Sequence, residues 1–202
     1  MFRSSTSLAN NFCPLKLGVM AQGDMYKIIE LIERDKLRLE ALECIQYLSL
    51  PQCYLAAGFV RNLVWDHLHQ KLIPSTLNDI DVIYYDSDEN DDEAYLKYEA
   101  ELTLRMPQVE WQVRNQAKMH IRNGDKPYQS IVDAMSYWPE KETAVAIRKT
   151  ALDNYECISA FGFESLFDLQ VTYNPKRNRD VFEHRIKSKK WLIHWPMLRV
   201  VR

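Results

Sequence analysis

Glycine is scarce in this chain, five in 202 residues, so a glycine between apolar segments marks backbone that must turn sharply or approach a ligand closely. Cysteine is scarcer still. Cys13, Cys44, Cys53 and Cys157 are scattered, with no Cys-x-x-Cys spacing and no histidine cluster beside them. That pattern excludes a zinc ribbon and a disulfide framework, and reduced thiols in a cytoplasmic protein are expected. No stretch approaches the roughly 20 apolar residues of a membrane-spanning helix. Arg3 is followed by no apolar core, so neither a span nor a secretion signal is expected. An excess of one charge is also missing. With 26 basic and 28 acidic residues the formal charge is −2, which excludes a generally basic nucleic-acid-binding domain and confines any such binding to a local patch.

Hydrophobic residues make up 47% of the chain and charged residues 27%, proportions that sustain an ordinary core and exclude wholesale disorder. One domain is expected over residues 23–202, after a polar, aperiodic tail over residues 1–22 that is expected to be disordered. Met20 and Met25 fall around that junction, so an over-extended start would also lie there.

Apolar residues at Ile28, Leu31, Ile32, Leu39, Leu42, Ile45 and Leu48 predict an amphipathic helix from Asp24 to Leu48, ended by Pro51. Cys53 to Ala57 reads as a short strand, Gly58 as a turn, and Phe59 to His69 as a helix. After Pro74-Ser75-Thr76 an alternating strand runs from Asp79 to Tyr85. The six acids from Asp86 to Glu93 then form a solvated loop. A helix over Glu93 to Arg105, stopped by Pro107, precedes a third strand from Val109 to Arg114, giving the order β-α-β-α-β. Beyond it we expect a short helix from Ser130 to Tyr137 and a hairpin of Thr143–Thr150 with Tyr155–Ser159 across Leu152-Asp153-Asn154. A helix from Phe163 to Val171 and a basic helix from Asp180 to Trp191 complete the chain. The fold class is α+β, a small mixed β-sheet with helices packed on it.

The chemistry concentrates in two segments. Gly58 lies between a buried strand and a helix, where free N–H groups and the helix dipole favour phosphate. Arg61 and Asn62 follow one turn into that helix, although Gly58 alone need only permit a turn, and Arg61 could pair with Asp66 or the acidic loop. Asp79 and Asp81 alternate with Ile80 and Val82, so both carboxylates leave one strand face. Acids are disfavoured in strands, and like charges this close repel unless a cation compensates them. The pair therefore points to Mg²⁺ or Mn²⁺ with phosphate oxygens, with Asn78 placed to orient the first carboxylate. A third carboxylate would complete a two-metal site. Glu110 on the next strand is the candidate, ahead of Asp66 and Asp86, with a surface glutamate as its bland reading. Asn115, Gln116 and His120 form a polar cluster after that strand, and Asn115 and His120 are candidates for substrate contact. Trp111, Trp138, Trp191 and Trp195 read as core or lid packing rather than base-stacking platforms.

The string Gly58-Phe59-Val60-Arg61-Asn62 followed by Asp79-Ile80-Asp81-Val82 resembles the nucleotidyltransferase superfamily that includes DNA polymerase beta and the CCA-adding enzymes. More narrowly, the chain is similar to a bacterial family of small nucleotidyltransferase-like proteins. The residues that carry this are Trp65-Asp66, Trp111 with Asn115 to His120, Trp138-Pro139-Glu140, Leu166 to Leu169, Asn174-Pro175, Lys190-Trp191 and Trp195-Pro196. The resemblance implies metal ligation by Asp79 and Asp81 and nucleotide phosphates at Gly58. The chain departs from the superfamily pattern in its Ala57-Gly58 turn, its Val-Arg-Asn continuation and the 21 residues from Gly58 to Asp79.

The leading expectation is a metal-dependent transferase that moves a nucleoside monophosphate from a nucleoside triphosphate to an acceptor, with Asp79, Asp81 and Glu110 at the metals and Gly58, Arg61 and Asn62 at the nucleotide. The alternative is a non-catalytic nucleotide- or partner-binding module that keeps the fold. Nucleic-acid recognition by Lys176, Arg177, Arg179, Arg185, Lys187, Lys189 and Lys190 ranks last, because such runs are usually solvated helix faces and the acidic loop would repel a polyanion.

Overall fold

The computed structural model describes residues 14–77, 79–150 and 154–202, with side chains from residue 22 onward. The amphipathic run expected as one helix is two, α1 (Pro14–Glu33) and α2 (Lys36–Gln46). Asp35 divides them: its carboxylate accepts from Arg38 N at 3.1 Å and caps α2, the competition by which a short polar side chain ends one helix and starts another. The bend lets Ile28 and Ile32 on α1 and Leu42 and Ile45 on α2 reach one core. The tail expected over residues 1–22 lies outside the described residues up to residue 13, and its remainder is the start of α1.

Five strands form a mixed sheet: β1 (Tyr54–Ala56), β2 (Asp79–Tyr84), β3 (Glu110–Asn115), β4 (Val145–Lys149) and β5 (Tyr155–Ser159), in the order β3-β2-β1-β4-β5. Helix α3 (Gly58–Leu68) leaves β1 directly and returns to β2, which runs antiparallel to β1. Helix α4 (Ala94–Arg105) is the crossover that makes β2 and β3 parallel. The expected hairpin is present as antiparallel β4 and β5, with turn residues 151–153 outside the described residues.

The period of two in β2 sorts its side chains. Ile80, Val82 and Tyr84 are fully buried against the helical layer with Leu55, Val113 and Ile147, and each aliphatic side chain so buried contributes about 1.5–3 kcal/mol. Asp79, Asp81 and Ile83 occupy the other face. Ile83 joins a second, smaller core with Tyr54, Ala56 and Ala146, covered by Ile131 and Met135 of α6 (Ile131–Met135). That cover stops short of the two aspartates, and the start of β2 stays open.

Three other expectations change. The helix from Phe163 to Val171 shortens to α7 (Glu164–Phe167), because Leu169 turns at φ 56° and the chain enters β6 (Gln170–Thr172), which pairs in parallel with β7 (Arg199–Val201). The basic helix divides at Lys190, φ 52°, into α8 (Arg179–Ser188) and α9 (Trp191–His194). The polar cluster after β3 is itself a helix, α5 (Gln116–Asn123).

Candidate active site

The turn from β1 into α3 is made by Ala57 at φ 55° and ψ −118°, backbone that glycine adopts freely and alanine does not. Its N–H donates to Val145 O at 2.9 Å, which fixes the turn to β4. Gly58 opens α3, and a Cβ there would stand 3.3 Å from Asn62 Nδ2 and 3.6 Å from Arg61 Nη2. The missing side chain leaves room between the backbone and these two groups.

Arg61 is buried, 6% exposed, and its donors are committed. Nε and Nη2 both donate to Asn62 Oδ1, at 3.2 and 3.0 Å, and Nη1 donates to Thr143 Oγ1 at 2.6 Å. The guanidinium lies over the rings of Trp65 and Trp191, 5.1 and 4.6 Å from their centroids. By holding Oδ1, Arg61 turns the donating Nδ2 of Asn62 toward Gly58. Burial lowers the Arg61 pKa to about 10, against the pull of Glu140, Asp81 and Asp79, so the group stays charged at neutral pH. Thr143 passes the contact on, donating to Glu140 Oε2 at 3.1 Å, and the buried Glu140 accepts from Arg185 Nε at 2.6 Å and Arg185 Nη2 at 3.2 Å.

Asp79 and Asp81 face this assembly across a cleft of about 800 Å³. Asp79 is exposed and Asp81 half-buried. Burial raises the Asp81 carboxyl above its ordinary range, as does Asp79, while Arg61, Lys189 and Arg185 pull it back. Two hard oxygen donors on one face, incompletely compensated by the surrounding cations, fit a divalent ion such as Mg²⁺ or Mn²⁺. Lys189 at the end of α8 is exposed, lines the cleft and forms no ion pair among the described residues.

The comparisons follow from this geometry. A family model described as nucleotidyltransferase matches residues 43–200. The chain belongs to this nucleotidyltransferase family. A solved structure described as revealing a CCA-adding enzyme head domain is 32% identical with a TM-score of 0.76, over 87% of this chain and 94% of that one. Two structures of a tRNA-processing enzyme share the fold at 14% identity and a TM-score of 0.50. They cover 80% and 94% of this chain, which spans 45% of each of them. No curated protein matches.

Against this cleft, the expected residues fall into two groups. Gly58, Arg61, Asn62, Asp79 and Asp81 line it together. Glu110 does not: it is the register partner of Asp79 on β3 but is exposed and outside the cleft lining, and no three His, Cys, Asp or Glu side chains group for a metal among the described residues. Gln112, the partner of Asp81, lines the cleft instead. Asn115 is buried as the cap of α5, accepting from Ala117 N at 3.0 Å and donating to Asp86 O at 2.8 Å. His120 bonds Ala117 O through Nδ1 at 2.7 Å and packs edge-on to Tyr128. Neither lines the cleft. Asn78 lies outside the described residues.

Asp66 belongs to the scaffold. It accepts from Ser75 N at 2.6 Å, Ser75 Oγ at 2.7 Å and Trp195 Nε1 at 2.7 Å, and pairs with Lys71 at 3.1 Å. Trp138, Trp191 and Trp195 line the cleft, whereas Trp111 is buried, donating to Met106 O at 3.2 Å. Arg185 and Lys189 were visible only as part of a basic run. Their spacing of four puts both on one helix face, the signal that separates them from Arg177, which pairs with Asp125, and from Arg179, which pairs with Glu183.

Proposed function

We propose that the chain is a metal-dependent nucleotidyltransferase that moves a nucleoside monophosphate from a nucleoside triphosphate to an acceptor and releases pyrophosphate. The observation that carries this is the convergence, in one cleft, of Asp79 and Asp81 with the Gly58 turn, the Asn62 amide and the Arg185–Lys189 face. Asp79 and Asp81 would hold Mg²⁺ or Mn²⁺, which when bound neutralises phosphate charge and polarises the α-phosphorus. The start of α3 and Asn62 Nδ2 donate to phosphate oxygens at a site where the missing Cβ of Gly58 allows close approach. Arg61 positions Asn62 and adds charge from behind, and Lys189 with Arg185 balances the leaving pyrophosphate. Trp138 and Trp191 supply apolar walls that exclude water.

The test uses α-labelled triphosphates with Mg²⁺. Asp79→Ala abolishes label transfer, while Asp88→Ala in the exposed acidic loop leaves it unchanged; equal activity in both sinks the site assignment. The position of Glu110 outside the cleft favours one second reading, a nucleotide-binding module without turnover. Calorimetry showing tight binding of Mg²⁺-triphosphate beside zero transfer to any acceptor would favour that module.

The remaining readings follow the same cleft. The substrate is a nucleoside triphosphate with a separate acceptor, and a nucleic-acid acceptor is not favoured because several cations of the basic run are already paired. Among the described residues no helix is long and apolar enough to cross a membrane.

A further inference from the structure

Glu140 is 1% exposed and does not itself line the cleft, although Pro139 before it and Thr143 after it do. Its backbone is pinned from both sides. Glu140 O accepts from Thr143 N at 3.2 Å, Pro139 O accepts from Asn174 N at 3.0 Å, and Glu140 forms an antiparallel bridge with Tyr173. The carboxylate takes one edge of Arg185, with Nε at 2.6 Å and Nη2 at 3.2 Å, and its Oε2 also accepts from the Thr143 hydroxyl at 3.1 Å. That hydroxyl is locked in turn, because Thr143 Oγ1 accepts from Arg61 Nη1 at 2.6 Å. The plane of a buried carboxylate is thus fixed by a chain of bonds that begins at α3.

A guanidinium has more than one edge able to hold oxygen atoms. Glu140 occupies the Nε–Nη2 edge of Arg185. Nη1 hydrogen-bonds to no group among the described residues, and Arg185 lines the cleft with its side chain 31% exposed. The ring of Trp191, whose centroid lies 5.8 Å from the guanidinium, braces it further. Lys189 follows one turn later on the same face of α8 and lines the cleft too. Both cations act on the Asp81 carboxylate.

Fastening α8 does not account for this arrangement. A buried ion pair adds little net stability, since desolvation offsets the attraction. What the pair supplies is direction: a free arginine side chain samples many rotamers, whereas this one is held in a single plane by two bonds and a ring.

Resting on the nucleotidyltransferase reading above, we infer that Glu140 is a positioning residue for the triphosphate, holding the Nε edge of Arg185 so that Nη1 meets the outer phosphates. Glu140 itself touches no ligand. Its charge is spent on Arg185, and its effect on the nucleotide passes through that side chain alone.

The experiment measures by calorimetry, with Mg²⁺ present, the binding of a non-hydrolysable nucleoside triphosphate, the corresponding monophosphate and inorganic pyrophosphate. It compares the wild-type chain with Glu140→Gln, Glu140→Asp, Arg185→Gln and the combination of Glu140→Gln with Arg185→Gln. Because a charge-assisted hydrogen bond is at stake, each single variant should weaken triphosphate and pyrophosphate by about tenfold or more and the monophosphate by less than about twofold. Glu140→Asp keeps the charge but draws Arg185 back by one methylene, so positioning predicts a loss where charge compensation alone predicts rescue. The combined variant should bind no more weakly than Arg185→Gln, since nothing is left to aim. Where Glu140→Gln does not fold, Glu140→Asp takes its place in the combination. Glu140 variants that weaken monophosphate and triphosphate alike, or whose loss multiplies with that of Arg185→Gln, act through the fold and overturn the inference. So does wild-type triphosphate affinity in Glu140→Asp. In those cases the nucleotidyltransferase reading stands; a wild-type chain that binds no triphosphate overturns that reading and this inference with it.

Discussion

Ala57 holds a conformation that alanine resists, and it does so at the entrance to α3. Strain of this kind costs on the order of 1–3 kcal/mol, and glycine at a positive φ avoids it at the expense of about 0.5–1 kcal/mol of chain entropy. Ala57→Gly is therefore expected to stabilise the fold by about 1 kcal/mol, read as a higher urea midpoint with an unchanged slope. Its neighbours divide their duties. Asn62→Ala removes the donating Nδ2, and we expect the triphosphate KM to rise about tenfold, near the 1.4 kcal/mol of one good hydrogen bond. Glu110→Gln, at an exposed position outside the cleft, should change neither kcat nor KM by more than about twofold, and steady-state kinetics would show otherwise if the carboxylate swings in.

At the scale of elements, Asp66 fastens three pieces together: α3, the Lys71–Ser75 segment and Trp195. Burial raises its carboxyl pKa, but the Ser75 N–H and hydroxyl, the Trp195 indole and Lys71 outweigh that and hold it below the ordinary carboxylate range. A depressed folded pKa gives stability that is complete above the unfolded value, near 3.9, and is lost as pH falls through the folded value. Thermal melts of the wild type should decline below about pH 4, and Asp66→Asn should lower the midpoint at pH 7 while flattening that acid limb. An unchanged limb in the variant would assign the acid sensitivity elsewhere.

The elements also show what patterning can disclose. Asp79 and Asp81 were legible because a period of two in an apolar run leaves no other face for them, and Gly58 because it stands between strand and helix. Helix α5 was not, since Gln116 alone of its residues is buried and the chain there offers no apolar stripe. Its one strong signal was the Asn115 cap. Three-residue strands such as β6 and β7 are too short for any period to show. Glu110 illustrates a subtler failure: its face was legible from alternation, but whether a side chain lies at the open end of a strand or over the cleft depends on register, which is set by the partner strand.

At the scale of the molecule, the cleft lies where the sheet's second face is half covered, between α6 on one side and α8 with α9 on the other. A ligand that binds only the folded cleft stabilises the whole chain, by about 2.7 kcal/mol at a hundredfold excess over its dissociation constant. For a domain of this size that is a rise of roughly 5–10 °C in midpoint. Mg²⁺ with a non-hydrolysable triphosphate should produce such a rise in the wild type and little in Asp79→Ala. An equal rise in both would place the nucleotide away from the paired aspartates.

Three of the five tryptophans, Trp138, Trp191 and Trp195, line that cleft, and Trp191 lies against the Arg61 guanidinium. The protein thus contains its own optical reporter. Indole emission responds to nearby charge and to exclusion of water, so excitation of the tryptophans during a titration with Mg²⁺-triphosphate follows occupancy without any label. Phenylalanine at position 138 in place of tryptophan would tell how much of the signal arises beside α6 and how much beside α9.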